Sequence, residues 1–312
     1  MKVLVTGGAG FIGSHLVDAL LSKNYDVVVL DNLSTGKVEN LPKSPRLRLH
    51  VGDLTDPSAV DSALVGCAAF VHLAAIASVE QSVIDPLRTH RTNLHGSIQL
   101  FEAAQISGVR RAIYASSAAV YGDTEDLPIS ETAKLRPLTP YAIDKAAGEQ
   151  YLAFYHRTGA LDATAFRFFN VFGPRQNPNS QYSGVISIFL DRALKGDPIT
   201  VFGDGQQTRD FVYVGDVVAA LIAALEFGGR ADEMPIYNVA RGESLSLVNL
   251  LELVGSLPGA LTPLHINHAP PRKGDVRHSL ANASKLIREL AWHPEITPRE
   301  GLLAILSERH QF

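Results

Sequence analysis

Apolar and polar positions switch repeatedly between two periods along the first half of the chain. Residues 2–6 are a short β-branched run, and 12–21 carry the recurrence of an amphipathic helix. Residues 26–30 (DVVVL) are apolar on both sides, as in a strand buried within a parallel sheet. The pattern continues with a strand over 46–50 and a helix over 57–64. Asp56 is placed to cap that helix and Pro57 to occupy its first position. A strand follows at 69–73, then a long helix over 85–107 stopped by Gly108. A strand at 111–115 runs into Ser116-Ser117, and a helix over 139–157 precedes a strand at 163–168. This alternation predicts an α/β protein of the Rossmann type, a doubly wound parallel sheet with helices on both faces.

Beyond Gly173 the pattern loosens. Pro, Asn and Gly crowd into GPRQNPNSQYSG, and turn signals recur at 203–205, 228–229 and 270–271. Elements there read as shorter and less regular. The expected division is a cofactor-binding domain over 1–173 and a smaller α/β lobe over 174–312. The chain is expected to return to the first domain near 209–240, through the strand-like 236–239.

Composition narrows the class. With 46% hydrophobic and 19% charged residues among 312, the chain is too apolar and too sparsely charged for disorder. A net charge of −4 argues against a dedicated nucleic-acid binder. The single Cys67 cannot form an internal disulfide, and the eleven histidines show no ligand spacing, so no metal site is expected. No apolar run reaches the roughly 18 residues of a membrane span. The opening MKVLVTGG lacks a signal-peptide pattern, so a soluble cytoplasmic protein is expected.

Two motifs carry chemistry. Gly7, Gly10 and Gly13 form G-x-x-G-x-x-G between the first strand and the first helix. Glycines allow the tight turn and let backbone N–H groups reach a pyrophosphate at the positive helix end. Asp31 ends the second strand 18 positions later, near the spacing of about 20 for a ribose-binding carboxylate. A carboxylate there would repel a 2′-phosphate, which favours NAD over NADP. Asp53, after the third strand, is the natural neighbour of the adenine.

The second motif joins Tyr141 and Lys145, four apart on one helix face, with Ser117 at the C-terminal end of a parallel strand. A nearby ammonium and bound NAD are expected to lower the tyrosine pKa and make it a general base. Ser117 could hydrogen-bond the same substrate oxygen. His72, inside HLAA, reads as structural rather than catalytic. Asn93 is expected to bridge backbone groups near the nicotinamide.

These residues, with DNLSTG, GDLTD, YASSAAVYGD, PYAIDK, RFFNVFGPRQ, RDFVYVGD and RKGDVRHS, resemble the extended short-chain dehydrogenase/reductase family over nearly the whole chain. Within it the chain looks most like the nucleotide-sugar 4-epimerases of the UDP-glucose type. The resemblance implies a retained NAD, regenerated each cycle, held by Gly7, Gly10, Phe11, Ile12, Gly13, Asp31, Asn32, Ser34, Gly36, Asp53, Leu54, Leu73, Ala74, Ala75, Asn93, Tyr141 and Lys145. It implies Ser117, Tyr141 and Lys145 as the catalytic set. It also implies a UDP-sugar substrate met by Ser78, Ser117, Tyr141, Asn170, Val185, Thr200, Phe202, Arg209, Arg272, Asp275 and Ser279. Phe202 matches the residue against uracil, Arg209 and Arg272 the phosphate-binding arginines, and Asp275 a ribose-binding carboxylate. Arginine forks suit a diphosphate on independent grounds. The helices over 85–107 and 139–157 resemble the pair that forms a four-helix homodimer interface.

Two departures bear on the reaction. A small Ser279, where hexose-restricted relatives carry a bulky residue, resembles the branch that accepts UDP-N-acetylhexosamines. Related dehydratases follow the catalytic Ser/Thr with Asp-Glu, and decarboxylases carry a Glu two places on. Ala118 and Ala119 can do neither job, so 4-epimerisation through a transient 4-keto sugar is expected. The alternatives are another nucleotide-sugar-modifying enzyme of the family, or a non-catalytic regulator that senses NAD.

Overall fold

The computed structural model describes residues 1–177, 184–227, 231–271 and 276–309. Strands β1 (Lys2–Thr6), β2 (Asp26–Asp31), β3 (Leu47–Val51), β4 (Ala69–His72), β5 (Arg111–Ser117) and β6 (Asp162–Phe168) follow one another as the hydrophobic pattern predicts. β7 (Asn170–Phe172), β8 (Ile199–Phe202) and β9 (Thr208–Tyr213) lie outside the main sheet. β10 (Ile236–Val239) rejoins it, giving seven strands in the order β10-β6-β5-β4-β1-β2-β3. All neighbours pair in parallel. The winding direction reverses between β1 and β4, so a crevice opens there at the carboxyl ends of the strands. The fold is a Rossmann-like α/β fold.

Helices α1 (Phe11–Ser22), α2 (Pro57–Leu64), α3 (Val79–Ile84), α4 (Pro86–His90), α5 (Gly96–Ile106) and α6 (Pro140–Arg157) belong to this half of the chain. Alternate strand residues feed two cores. Val3, Val5, Val27 and Val29 pack with Leu16 and Leu20 of α1. Leu4, Val28, Leu30 and Phe70 pack with Leu100 and Phe101 of α5. Two buried faces explain why Val27–Leu30 are apolar without alternation, and each fully buried Val or Leu contributes roughly 1.5–3 kcal/mol.

The long helix expected over 85–107 starts at Pro86, capped by the Asp85 side chain, which accepts from Arg88 N at 3.0 Å. It passes through a π turn at Arg91–His95 before α5. The short α3 escaped the pattern because Val79, Val83 and Ile84 are exposed and leave no buried stripe to read.

The remaining helices are α7 (Val185–Lys195), α8 (Val214–Glu226), α9 (Leu247–Gly255), α10 (Ser284–Leu290) and α11 (Pro298–Arg309). The expectation of short, irregular elements after Gly173 understates them. α8 runs 13 residues and packs on α1 in the first core. A third core joins Phe172, Phe189, Leu190, Phe211, Leu250 and Leu302. β11 (Ser244–Ser246) pairs antiparallel with β9, and β12 (Ile266–Ala269) pairs parallel with β8.

Asp210 of β9 ties these parts together. It is fully buried, and its carboxylate accepts from Arg241 N at 2.8 Å, Gly242 N at 3.0 Å and Ala281 N at 3.1 Å. An amide at this position can accept at one of its two atoms only. Asp210→Asn should therefore lower unfolding stability by roughly 1–3 kcal/mol, the cost of a buried donor left unpaired. Urea unfolding checks this; an unchanged midpoint and slope would refute the role.

Candidate active site

A cleft of about 520 Å³ crosses the carboxyl ends of the strands where the winding reverses. Its walls collect Gly7, Gly10, Phe11, Ile12, Gly13, Asp31, Asn32, Ser34, Asp53, Leu54, Leu73, Ala74 and Ala75. Ser117, Tyr141, Lys145 and Asn170 share it. Residues that the motifs did not single out also line it, among them Ile76, Arg88, Thr92, Phe169, Gln176 and Gly184.

The glycine loop leaves no room for side chains. Gly7 has φ +69°, and a Cβ on it would lie 2.8 Å from Ala74 N. A Cβ on Gly13 would lie 2.2 Å from Gly7 O. Gly10 begins α1 with no side-chain cap, so the first N–H groups of the helix face the cleft without a carboxylate or hydroxyl partner from that cap. This is a cradle for a pyrophosphate, and the residues present fit a dinucleotide.

The Asp31 carboxylate is held by its own neighbours. Its Oδ2 accepts from Ala9 N at 2.9 Å and its Oδ1 from Leu33 N at 2.8 Å. Gly36 does not line the cleft; a Cβ there would press within 2.9 Å of Asp31 Oδ2. Asn32 donates to Asp53 Oδ2 at 2.7 Å, and Thr55 donates twice to Asp53 Oδ1. Asn93 is buried behind the wall and acts on it indirectly. Its side chain accepts from Ile76 N at 2.8 Å and donates to Ile76 O at 3.0 Å.

At the other end of the cleft, Thr139 caps α6 and Pro140 starts it, which fixes where Tyr141 and Lys145 emerge. Tyr141 and Ser117 line the same end of the cleft, with the Ser117 hydroxyl near enough to act on the phenol. Lys145 is buried and donates to Ala115 O at 2.6 Å. Its Nζ lies 6.0 Å from the Tyr141 ring centre. The expected lowering of the tyrosine pKa is not found in the protein alone. Burial raises the Tyr141 phenol, and only the Ser117 hydroxyl pulls it back. Burial also pulls Lys145 down to about 8, against the raising pull of Asp144 and Glu149.

Behind this pair lies a network that motif reading missed. Glu149 is fully buried, and Arg167 donates to its two oxygens at 2.9 and 2.7 Å. Ser116 donates to Glu149 as well, at 2.5 Å. The available signal was spacing: Tyr141, Lys145 and Glu149 are successive i+4 positions on α6.

The substrate residues are less gathered. Ser78 does not line the cleft; its Oγ accepts from Gln81 N at 2.9 Å and caps α3. Val185 begins α7 beside Gly184 of the wall. Thr200 and Phe202 share the outer face of β8, opposite the buried Ile199 and Val201. Arg209 is half-buried and donates to Thr208 O at 2.8 Å. Ser279 is half-buried, with its N–H on Thr208 O at 3.2 Å. Arg272 and Asp275 lie outside the described residues. Among the described residues no cluster of ligating side chains could hold a metal ion, and no helix is long and apolar enough to cross a membrane.

Cleft, glycine cradle and Ser–Tyr–Lys cluster together define an NAD-binding α/β protein of the extended short-chain dehydrogenase/reductase type. The chain belongs to the NAD dependent epimerase/dehydratase family, whose model matches residues 3–240. It is 39% identical to the UDP-glucose 4-epimerase of Mycolicibacterium smegmatis, over 97% of this chain and 96% of that one. The crystal structure of UDP-glucose 4-epimerase from Thermotoga maritima with UDP-glucose superposes with a TM-score of 0.93 at 38% identity, covering 100% and 99% of the two chains. A UDP-N-acetylglucosamine 4-epimerase from Methanobrevibacter ruminantium, in complex with UDP-N-acetylmuramic acid, gives 0.91 at 38% identity over 98% of each.

His72 reports on the site's polarity. It is buried, with Nδ1 2.7 Å from Thr6 Oγ1 and Nε2 2.8 Å from Ser97 Oγ. Burial first, and the Lys145 charge second, lower its pKa to about 3. The unfolded chain takes up this proton near pH 6.5 and the folded chain only near 3, so stability is full above 6.5 and falls as pH drops between them. The His72 ring resonances should hold their neutral shifts down to about pH 4. An NMR midpoint near 6 would refute the buried neutral imidazole.

Proposed function

We propose that the protein is an isomerase that inverts C4 of a UDP-hexose with NAD as its retained cofactor. One observation carries this reading. Ser117, Tyr141 and Lys145 converge at one end of the NAD cleft, and the next positions are Ala118 and Ala119. No carboxylate stands there to drive elimination or decarboxylation.

Held by the glycine loop, Asp31 and the cleft end formed by Ser117, Tyr141 and Lys145, bound NAD would supply reversible hydride acceptance at sugar C4. Tyr141, as tyrosinate, takes the C4 hydroxyl proton while the C4 hydrogen leaves with its electron pair, and the C–O bond becomes a ketone. Ser117 hydrogen-bonds the same oxygen. Lys145 holds an ammonium near the phenol and supports its anion. The 4-keto sugar then turns about its pyrophosphate linkage and is reduced on its other face, with Tyr141 returning the proton. Arg209 and Arg272 hold the diphosphate, Phe202 and Thr200 flank the base, and Asp275 binds the ribose. Asn170 and Val185 border the sugar. The small Ser279 leaves space for an acetamido group, which supports use of both the glucose and the N-acetylglucosamine series. Residues 1–173 serve mainly the cofactor and 174–312 mainly the nucleotide-sugar.

The working form is proposed as a homodimer. Leu87 of α4, Ile106 of α5, and Ile143, Tyr151 and Phe154 of α6 are exposed large apolar residues. An apolar face spread over such helices marks an association surface. Ile143→Glu with Phe154→Glu should convert a dimer to a monomer in light scattering; a wild-type monomer would refute the assembly.

Incubation with UDP-glucose, UDP-galactose and their N-acetyl counterparts should yield the C4 epimer of at least one, without added stoichiometric NAD. No epimer from any of them would overturn the assignment. Tyr141→Phe should cut kcat by at least about a hundredfold, the share of a general acid–base group, while the variant still folds and binds NAD. Near-normal turnover would remove Tyr141 from the chemistry.

A further inference from the structure

One long cation on the cleft wall has no part in the chemistry above. Arg88 is an exposed residue of α4, and its side chain reaches the cleft. Thr92, four positions on, lines the cleft too. Among the described residues the Arg88 guanidinium makes no hydrogen bond. The other cation lining the cleft among the described residues is Lys145, buried at the catalytic end and bound to Ala115 O.

Sheet order locates Arg88 along the cofactor. The glycine loop follows β1, in the middle of the sheet, and takes the pyrophosphate. Tyr141 and Lys145 stand beside the end of β5, on one side of it. Asp53 follows β3, the edge strand on the other side, and so marks the adenosine end. Arg88 acts on Asp53. Burial alone would raise that carboxyl, but hydrogen bonds from Thr55 and Asn32, and then the Arg88 charge, bring it below its ordinary value. The helix that α4 runs into stands beside the same loop, with Gln99 of α5 donating to Leu54 O at 3.1 Å, so the guanidinium is placed toward the adenosine end.

We propose that Arg88 closes the adenosine end of the cleft by laying its guanidinium on the adenine of bound NAD. A planar, weakly hydrated cation suits an aromatic face, and its carbon stem can cover the base without burying the charge. Asp53, with its oxygens held by Asn32 and Thr55, orients the guanidinium from the side. The capped start of α4 fixes where the stem leaves the backbone.

Calorimetry on NAD-stripped full-length protein tests this with NAD and with nicotinamide mononucleotide, which lacks the adenosine. Arg88→Ala should weaken NAD binding on the order of tenfold. Its affinity for the mononucleotide should stay within about twofold. Arg88→Lys should recover less than half of the loss, because an ammonium keeps the charge but not the plane. Unchanged NAD affinity in Arg88→Ala would overturn the proposal. So would equal losses for both ligands, or full recovery by lysine. Failure of the unaltered protein to bind NAD would instead strike the cofactor assignment itself.

Discussion

The arrangement of the active site depends on one buried ion pair. Arg167 of β6 and Glu149 of α6 meet through two parallel hydrogen bonds where water does not reach either group. Two charges so placed are tolerable only if their remaining donors and acceptors are also satisfied. Here they are: Ser116 donates to Glu149, and Arg167 donates to Tyr121 Oη at 2.9 Å and Glu131 O at 3.0 Å. Removing either partner strands a buried charge, at a cost of about 3–5 kcal/mol. The pair therefore fixes the rotation and register of α6 against the sheet. Because Glu149, Lys145 and Tyr141 share one face of that helix, the same constraint aims the lysine and the phenol at the cleft.

The network also couples the two halves of the chain. Tyr121 Oη donates to Asn238 Oδ1 at 2.6 Å, and Asn238 donates onward to Ile129 O at 2.9 Å and Asn282 O at 3.3 Å. Asn238 lies on β10, the strand that returns to the main sheet from the later part of the chain. A hydrogen-bonded path thus runs from beneath Lys145 to the segment that leads into α10. Asp210 provides a second tie, through the N–H groups of Arg241, Gly242 and Ala281. The cleft is held between parts that are distant in sequence yet fixed by buried polar contacts. Such contacts resist displacement more sharply than apolar packing, because each demands a particular geometry.

What could be read from the chain was what local sterics and periodicity decide. Gly7 and Gly13 are legible because only hydrogen fits beside the backbone of Ala74 and of Gly7 itself. Asp56-Pro57 is legible because a cap acts over three or four residues. Tyr141 and Lys145 are legible because one turn of helix joins them. The pKa of Tyr141 was not, because desolvation depends on everything packed around the phenol, and it outweighs the one opposing pull, from the Ser117 hydroxyl. Glu149 was not legible, for a related reason. Its partners, Ser116 of β5 and Arg167 of β6, are distant in sequence and are brought to it only by packing. The later half of the chain was the least legible, since Thr200 and Phe202 lie on a strand set by pairing with the distant β12, and Ser279 meets Thr208 O only from a distant part of the sequence.

The treatment of helix starts shows how a chain of net charge −4 can accommodate an anionic ligand. Helices α2, α3, α4 and α6 each begin with a side chain, Asp56, Ser78, Asp85 or Thr139, that accepts from the helix's first turn. α1 and α7 begin instead at Gly10 and Gly184, with no side-chain cap and no acidic residue in the first turn. Both glycines line the cleft. An uncapped start costs a helix on the order of 1 kcal/mol when a capping residue is given up for alanine, and only a few tenths for glycine. That small loss leaves N–H donors, and the positive end of each helix dipole, directed at the cleft. The field of the whole protein is unhelpful to a dinucleotide or a nucleotide-sugar. Binding must then come from donors placed this close, where distance and low dielectric outweigh net charge.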